Sequence, residues 1–118
     1  MDKRKPEEIL SIIKSAIDQL PWFGVRSMVT NCLTTPRVER RFFATDGGEA
    51  EGDVWIFLIV PGQEDLALAY SDEGYGEMGI CWGLVFAETD QFGSSGNWYL
   101  SLEGLLQESG YFAIASQK

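Results

Sequence analysis

The chain has 118 residues, of which 45% are hydrophobic and 13% aromatic. This length and composition are typical of one folded domain and exclude a disordered polypeptide. No apolar run reaches the roughly 18 residues that a membrane span requires, and the charged N-terminal segment lacks the features of a signal peptide. We therefore expect a single domain over residues 1–118, located in the cytoplasm.

The distribution of charge is the most informative feature of the sequence. Nine basic residues stand against 18 acidic ones, which gives a formal net charge of −9. Eight of the bases lie within residues 1–41, whereas residues 42–117 contain thirteen acids and no lysine or arginine. Such a region attracts a basic partner and repels nucleic acid and anionic membranes. The pattern predicts a basic protein partner, no direct nucleic-acid binding and no membrane binding. It leaves open the alternative that acidity serves solubility alone.

A helix is predicted at the start of the chain. Pro6 suits an early helical position, and Glu7 and Glu8 favour the positive end of the helix dipole. Apolar residues then recur every three or four positions until Pro21 ends the pattern. Residues 22–33 fit a second helix or a strand, and the pattern does not decide between them.

Strands are predicted from residue 37 onwards, at residues 37–44, 54–60, 66–70 and 78–87. The acidic, glycine-containing residues 46–53 and 71–77 are expected to be loops. Ser101 can cap a short helix that ends at Ser109 before Gly110, and residues 111–115 fit a terminal strand. The whole predicts an α+β domain with an N-terminal amphipathic helix, an antiparallel sheet of about four strands and a short C-terminal helix.

The last long strand predicts a sheet with one bulky face and one small face. Met78, Ile80, Trp82, Leu84 and Phe86 alternate with Gly79, Cys81, Gly83, Val85 and Ala87. A small face allows another element to approach the sheet closely. We expect the N-terminal helix to cover it, and a shallow ligand pocket near Gly79, Cys81 and Gly83 is the alternative.

The sequence indicates no enzymatic chemistry. It contains no histidine, and its acids lie mainly in loops where solvent keeps them ionised. Cys81 has apolar neighbours and is expected to behave as a small hydrophobic residue, and Cys32 is expected to be buried in the same way. The acids of residues 46–53 do not have the EF-hand spacing. We therefore predict no catalytic residue, no metal site and no cofactor.

Two loops combine acids with aromatic residues and form the predicted partner-binding site. The first loop contributes Asp72, Glu73, Tyr75 and Glu77, and the second contributes Glu88, Asp90, Phe92 and Trp98. Aromatic residues at the centre of an interface supply anchoring contacts, while acids around them steer and select the partner. The alternative is that Phe92 and Trp98 cover the hydrophobic core.

In size and charge the chain resembles two broad bacterial groups, immunity proteins that neutralise toxins and dimeric secretion chaperones. We predict a non-enzymatic binding domain of the immunity or inhibitor type that neutralises a basic protein such as a nuclease toxin. One alternative is a small-molecule-binding or enzymatic domain that uses the small sheet face. Another is a scaffold like a secretion chaperone, which would be a homodimer.

Overall fold

The computed structural model describes residues 5–45, 47–60, 62–93 and 95–109. Within them the helices are α1 (Pro6–Asp18), α2 (Phe23–Cys32) and α3 (Leu102–Ser109). The strands are β1 (Leu33–Thr45), β2 (Gly48–Ile59), β3 (Leu66–Tyr70), β4 (Trp82–Phe86) and β5 (Trp98–Tyr99). Short 3-10 turns at Gly74–Met78 and Ser95–Asn97 precede β4 and β5. The chain therefore has the predicted α+β class.

Helix α1 begins as predicted. Pro6 is its first residue, and the carboxylate of Glu8 accepts a hydrogen bond of 2.8 Å from the backbone N–H of Lys5. Ile9, Ile13 and Ile17 are buried. Because residues four apart return to the same side of a helix, these three form one apolar stripe.

Residues 22–33, which the sequence pattern left between helix and strand, contain helix α2. Val25 and Val29 are four residues apart and are both buried. The helix ends at Cys32 and the chain passes directly into β1 at Leu33. Contact with the sheet outweighs the modest strand preference of the two valines.

The sheet has five antiparallel strands in the order β1-β2-β3-β4-β5. The expected number was about four. The additional strand, β5, pairs Trp98 with Gly83 and Tyr99 with Trp82. A strand of two residues has no alternation from which it could be detected.

Strands β1 and β2 form a longer hairpin than the sequence predicted. Residues 48–53 were expected to lie in a loop, but β2 begins at Gly48, and its pairing with β1 runs from Gly48↔Thr45 to Asp53↔Arg40 and beyond. Pairing with β1 stabilises the extended conformation of this acidic, glycine-containing segment, which has little strand preference of its own. The register shifts between Leu33 and Arg37, where Pro36 has no N–H to donate.

Strand β4 is shorter than predicted. Residues 78–81 were assigned to it, but the 3-10 turn extends to Met78 and is followed by Gly79 with a φ of 86°. This left-handed conformation favours glycine and ends the turn before the strand begins at Trp82. Met78 is consequently exposed and does not belong to the bulky face.

The three helices contribute to the core on the bulky face of the sheet, which is the opposite of what we expected for the N-terminal helix. On the sheet side this core contains Trp55, Phe57, Leu68, Tyr70 and Trp82. The isoleucines of α1 and the leucines of α3 pack into the same cluster. Covering the large side chains removes more apolar area from water than covering the small ones would.

Helix α3 has the predicted cap. The Oγ of Ser101 accepts a hydrogen bond of 3.0 Å from the backbone N–H of Gly104. Leu102, Leu105 and Leu106 are buried. Gly110 and the predicted strand at residues 111–115 lie outside the described residues.

Candidate protein-binding surface

A cluster of aromatic side chains covers the small face of the sheet. The ring of Phe92 lies 5.0 Å from the ring of Phe43 and 5.4 Å from that of Trp98, measured between centroids. Tyr75 lies 6.0 Å from both Phe92 and Trp98. These rings pack with Val54, Ile56, Ala67, Ala69, Val85 and Ala87. The small face is therefore filled by aromatic side chains from β1, β5 and the loops before β4 and β5 rather than by helix α1.

Glycines make room for the two largest of these rings. A Cβ added at Gly83 would come within 2.6 Å of the Trp98 indole, and one at Gly74 within 2.7 Å of the Phe92 ring. A Cβ added at Gly52 would likewise come within 3.0 Å of the Phe92 ring. Three glycines that are far apart in the sequence thus permit Phe92 and Trp98 to lie against the backbone.

The β3–β4 loop is fastened to β2 at its beginning. Ser71 is buried, and its Oγ donates a hydrogen bond of 2.6 Å to the carbonyl oxygen of Asp53 and accepts one of 3.1 Å from the N–H of Glu73. The carboxylate of Glu73 accepts a hydrogen bond from the backbone N–H of Asp53. The side chains of Ser71 and Glu73 therefore both bind the backbone of Asp53 in β2.

The same loop is joined to the β4–β5 loop by Tyr75. Its hydroxyl donates a hydrogen bond of 3.0 Å to the carbonyl oxygen of Gly93, and its ring contacts Phe92. Phe92 also contacts Phe43 of β1. The two acidic loops and the β1–β2 hairpin therefore meet around Phe92.

The structure divides the predicted acids into two groups. Asp72 accepts a hydrogen bond of 2.7 Å from the Tyr70 hydroxyl, and Glu73 binds the backbone of β2, so both are partly buried. Glu77, Glu88 and Asp90 are exposed. Only the exposed group combines charge with free access to a partner.

The predicted aromatic anchors are interior residues. Phe92 is 0% and Trp98 4% exposed, and the indole N–H of Trp98 donates a hydrogen bond of 2.9 Å to the carbonyl oxygen of Phe92. Tyr75 remains partly exposed. In this conformation Phe92 and Trp98 hold the acidic loops in place and present no ring surface to a partner.

Arg40, which precedes the base-free residues 42–117, offsets part of the repulsion between their acids. Arg40 Nη1 lies 2.9 Å from Asp53 Oδ1 across the β1–β2 ladder. This hydrogen bond is the main reason that the pKa of Arg40 is raised, and the charges of Asp53, Glu51 and Glu73 raise it further. The pairing is long-range, and the charge pattern of the sequence did not indicate it.

The sequence also gave no signal for the role of Arg41. Its side chain is 0% exposed and donates hydrogen bonds to the carbonyl oxygens of Phe86, Ala87 and Gln91. In an alternating strand with charged neighbours, an arginine is expected to face solvent. Here it binds the segment that carries Glu88 and Asp90.

The ligand pocket near Gly79, Cys81 and Gly83, which was the alternative to a covering helix, does not open on the small face. The indole of Trp98 fills the space above Gly83, and Cys81 packs toward the opposite core. A cleft of about 500 Å³ lies elsewhere, between α1 and the start of α3. Its apolar lining includes Ile12, Ala16, Trp82 and Leu100.

Among the described residues, no group of three or more acids or cysteines is arranged to hold a metal ion. None of the helices in this part of the chain is long and apolar enough to cross a membrane. Comparisons with protein-family models, with curated proteins and with solved structures find no match for this chain.

Proposed function

We propose that the chain is a non-enzymatic protein-binding domain of the immunity or inhibitor type, which neutralises a basic protein such as a nuclease. The observation that carries the proposal is the meeting of two acidic loops around Phe92. Glu77 on one loop and Glu88 and Asp90 on the other are exposed, while the two loops are held together by the ring contact of Tyr75 with Phe92 and by the Tyr75–Gly93 hydrogen bond.

Fixed acids suit this role for a physical reason. A binding loop that is already ordered loses less conformational entropy when it associates with a partner. A one-sign field raises the association rate of a partner of opposite charge and disfavours partners of like charge. Carboxylates would occupy the position on a nuclease where phosphates otherwise bind.

The test begins with capture of partners from a lysate of the cells that encode the chain. The tagged wild type is compared with the triple variant Glu77→Gln, Glu88→Gln, Asp90→Asn. A matched control, Glu7→Gln, Glu64→Gln, Glu103→Gln, loses the same charge at other exposed positions. We expect a basic protein to bind the wild type and the control, and to bind the loop variant poorly.

The captured protein is then purified and assayed with the chain. We expect inhibition of its activity, together with an association rate that falls as salt rises, because ions screen exposed charges beyond about 8 Å at physiological ionic strength. Capture of the same proteins by all three forms would contradict the proposal. So would a captured basic protein that keeps full activity when bound.

A further inference from the structure

Residues 87–93, which we call the strap, join the small face of the sheet to the edge strand β1. Two backbone hydrogen bonds connect the strap to β1 at Phe42. The N–H of Phe42 donates to the carbonyl oxygen of Asp90 at 2.7 Å, and the N–H of Phe92 donates to the carbonyl oxygen of Phe42 at 2.8 Å. This single parallel bridge is too short to count as a strand.

One side chain holds the strap along most of its length. Arg41 Nη1 donates to the carbonyl oxygens of Phe86 at 2.9 Å and Gln91 at 3.3 Å, and Nη2 donates to that of Ala87 at 3.2 Å. The fork of the guanidinium therefore binds the residue before the strap and two residues within it. A lysine has a single charged nitrogen and cannot reproduce this geometry.

The charge of Arg41 is balanced by Glu39 of the same strand. Arg41 Nε and Nη2 lie 3.0 Å and 2.7 Å from Glu39 Oε1. Glu39 is 27% exposed, whereas Arg41 is fully buried. A buried cation is stable only while it keeps its partners, so the strap contacts depend on one another.

The strap contributes to the aromatic cluster on the small face. It carries Phe92, whose ring fills the space beside Gly52 and Gly74 and whose carbonyl oxygen binds the indole of Trp98. If the strap moved away from the sheet, the Phe92 ring would leave the small face and the indole N–H of Trp98 would lose its hydrogen-bond acceptor. The helix-covered core on the other face contains none of these contacts.

We propose that the strap opens as one unit, with Arg41 as its latch, and that opening uncovers Phe92 and Trp98 while α1 and the central strands stay folded. A local opening of this kind needs less free energy than global unfolding, because only the contacts of the segment that opens are lost. The inference concerns the folded chain alone and does not depend on the proposed binding function.

Amide hydrogen exchange of the full chain, followed by NMR, tests the proposal. In the wild type, the amides of Phe42 and Phe92 should exchange at similar protection factors, at least tenfold lower than that of Leu68 in the central strand β3. Arg41→Lys keeps the charge and removes the fork. It should speed exchange at Phe42 and Phe92 at least tenfold while changing Leu68 by a much smaller factor.

Arg40→Lys is the matched control, because Arg40 is the exposed neighbour that binds Asp53 rather than the strap. It should change strap exchange less than twofold. If Arg41→Lys does not fold, Glu39→Gln weakens the latch from its half-buried side and should give the same selective increase. The proposal is overturned if Phe42 and Phe92 exchange only as slowly as Leu68. It is equally overturned if the latch variant that folds speeds all three amides alike.

Discussion

The indole ring of Trp98 lies on the backbone of Gly83, so closely that a Cβ at position 83 would come within 2.6 Å of it. The two residues are also paired across β4 and β5. The small face of the sheet is therefore shaped to receive one large ring from the adjacent strand. That contact fixes where the β4–β5 loop ends.

Gly83→Ala should destabilise the chain by about 1–3 kcal/mol, because the added methyl group forces the buried indole out of its position. Urea denaturation of the purified variant measures the loss. Gly24→Ala is the control, since no atom lies within 4 Å of a Cβ built at that helical position. It should raise stability by about 0.5 kcal/mol. Equal stability of the two variants would contradict this account of Trp98.

Local patterns predicted α1 and α3 well, because the determinants of these two helices lie close together in sequence, whereas α2 was left between helix and strand. Ile9, Ile13 and Ile17 mark α1, and Ser101 marks the start of α3. The alternation of β4 also indicated a small face at Gly83. What covers that face depends on Trp98, fifteen positions along the chain, and on the path of the intervening loop. Periodicity carries no information about such a path.

The candidate site was predictable to a similar extent. The sequence places the acids in two loops, and Glu77 is exposed as the loop prediction implied, but partner binding by these acids stays a prediction. The aromatic residues were harder, because the same composition suits an interface and a loop core. The role of Arg41 depends on three backbone carbonyl oxygens of residues 86–91. Every residue has a backbone carbonyl, so residue types do not indicate which carbonyls will accept a hydrogen bond.

Trp98→Ala should lower the free energy of unfolding by about 3–5 kcal/mol, the usual loss for a buried large aromatic residue. Denaturation monitored by far-UV circular dichroism measures it. Trp98→Phe keeps a ring but loses the hydrogen bond to the carbonyl oxygen of Phe92, and the loss should be smaller. A Trp98→Ala chain as stable as the wild type would show that the ring is not part of the core.

Glu73→Ala and Glu77→Ala should differ although both remove one acid from the same loop. Glu73 accepts a hydrogen bond from the N–H of Asp53, and its loss should reduce stability by about 1–2 kcal/mol. Glu77 is exposed, so its replacement should change stability by no more than about 0.5 kcal/mol. Parallel thermal melts test the difference. A larger loss for Glu77→Ala would mean that the loop is held by other contacts.

Neutralising the exposed loop acids should not weaken the fold. The triple variant Glu77→Gln, Glu88→Gln, Asp90→Asn reduces repulsion in a region that contains no lysine or arginine after Arg41 until the end of the chain. We expect its stability in 20 mM salt to equal or exceed that of the wild type by about 0.5 kcal/mol. A clear loss of stability would show that these acids make structural contacts.

Arg40→Gln should have the opposite effect, with a dependence on salt that identifies its cause. Arg40 pairs with Asp53 and lies in the field of Glu51 and Glu73, so its removal leaves three carboxylates without that cation. The melting temperature should fall, and it should fall further in 20 mM than in 500 mM salt, because salt screens exposed charges. Arg37→Gln, which removes an exposed charge paired only with Glu39 among the contacts seen for it, provides the comparison and should show a weaker salt dependence. If the loss for Arg40→Gln is the same at both salt concentrations, the residue stabilises the hairpin through packing of its aliphatic part and not through its charge.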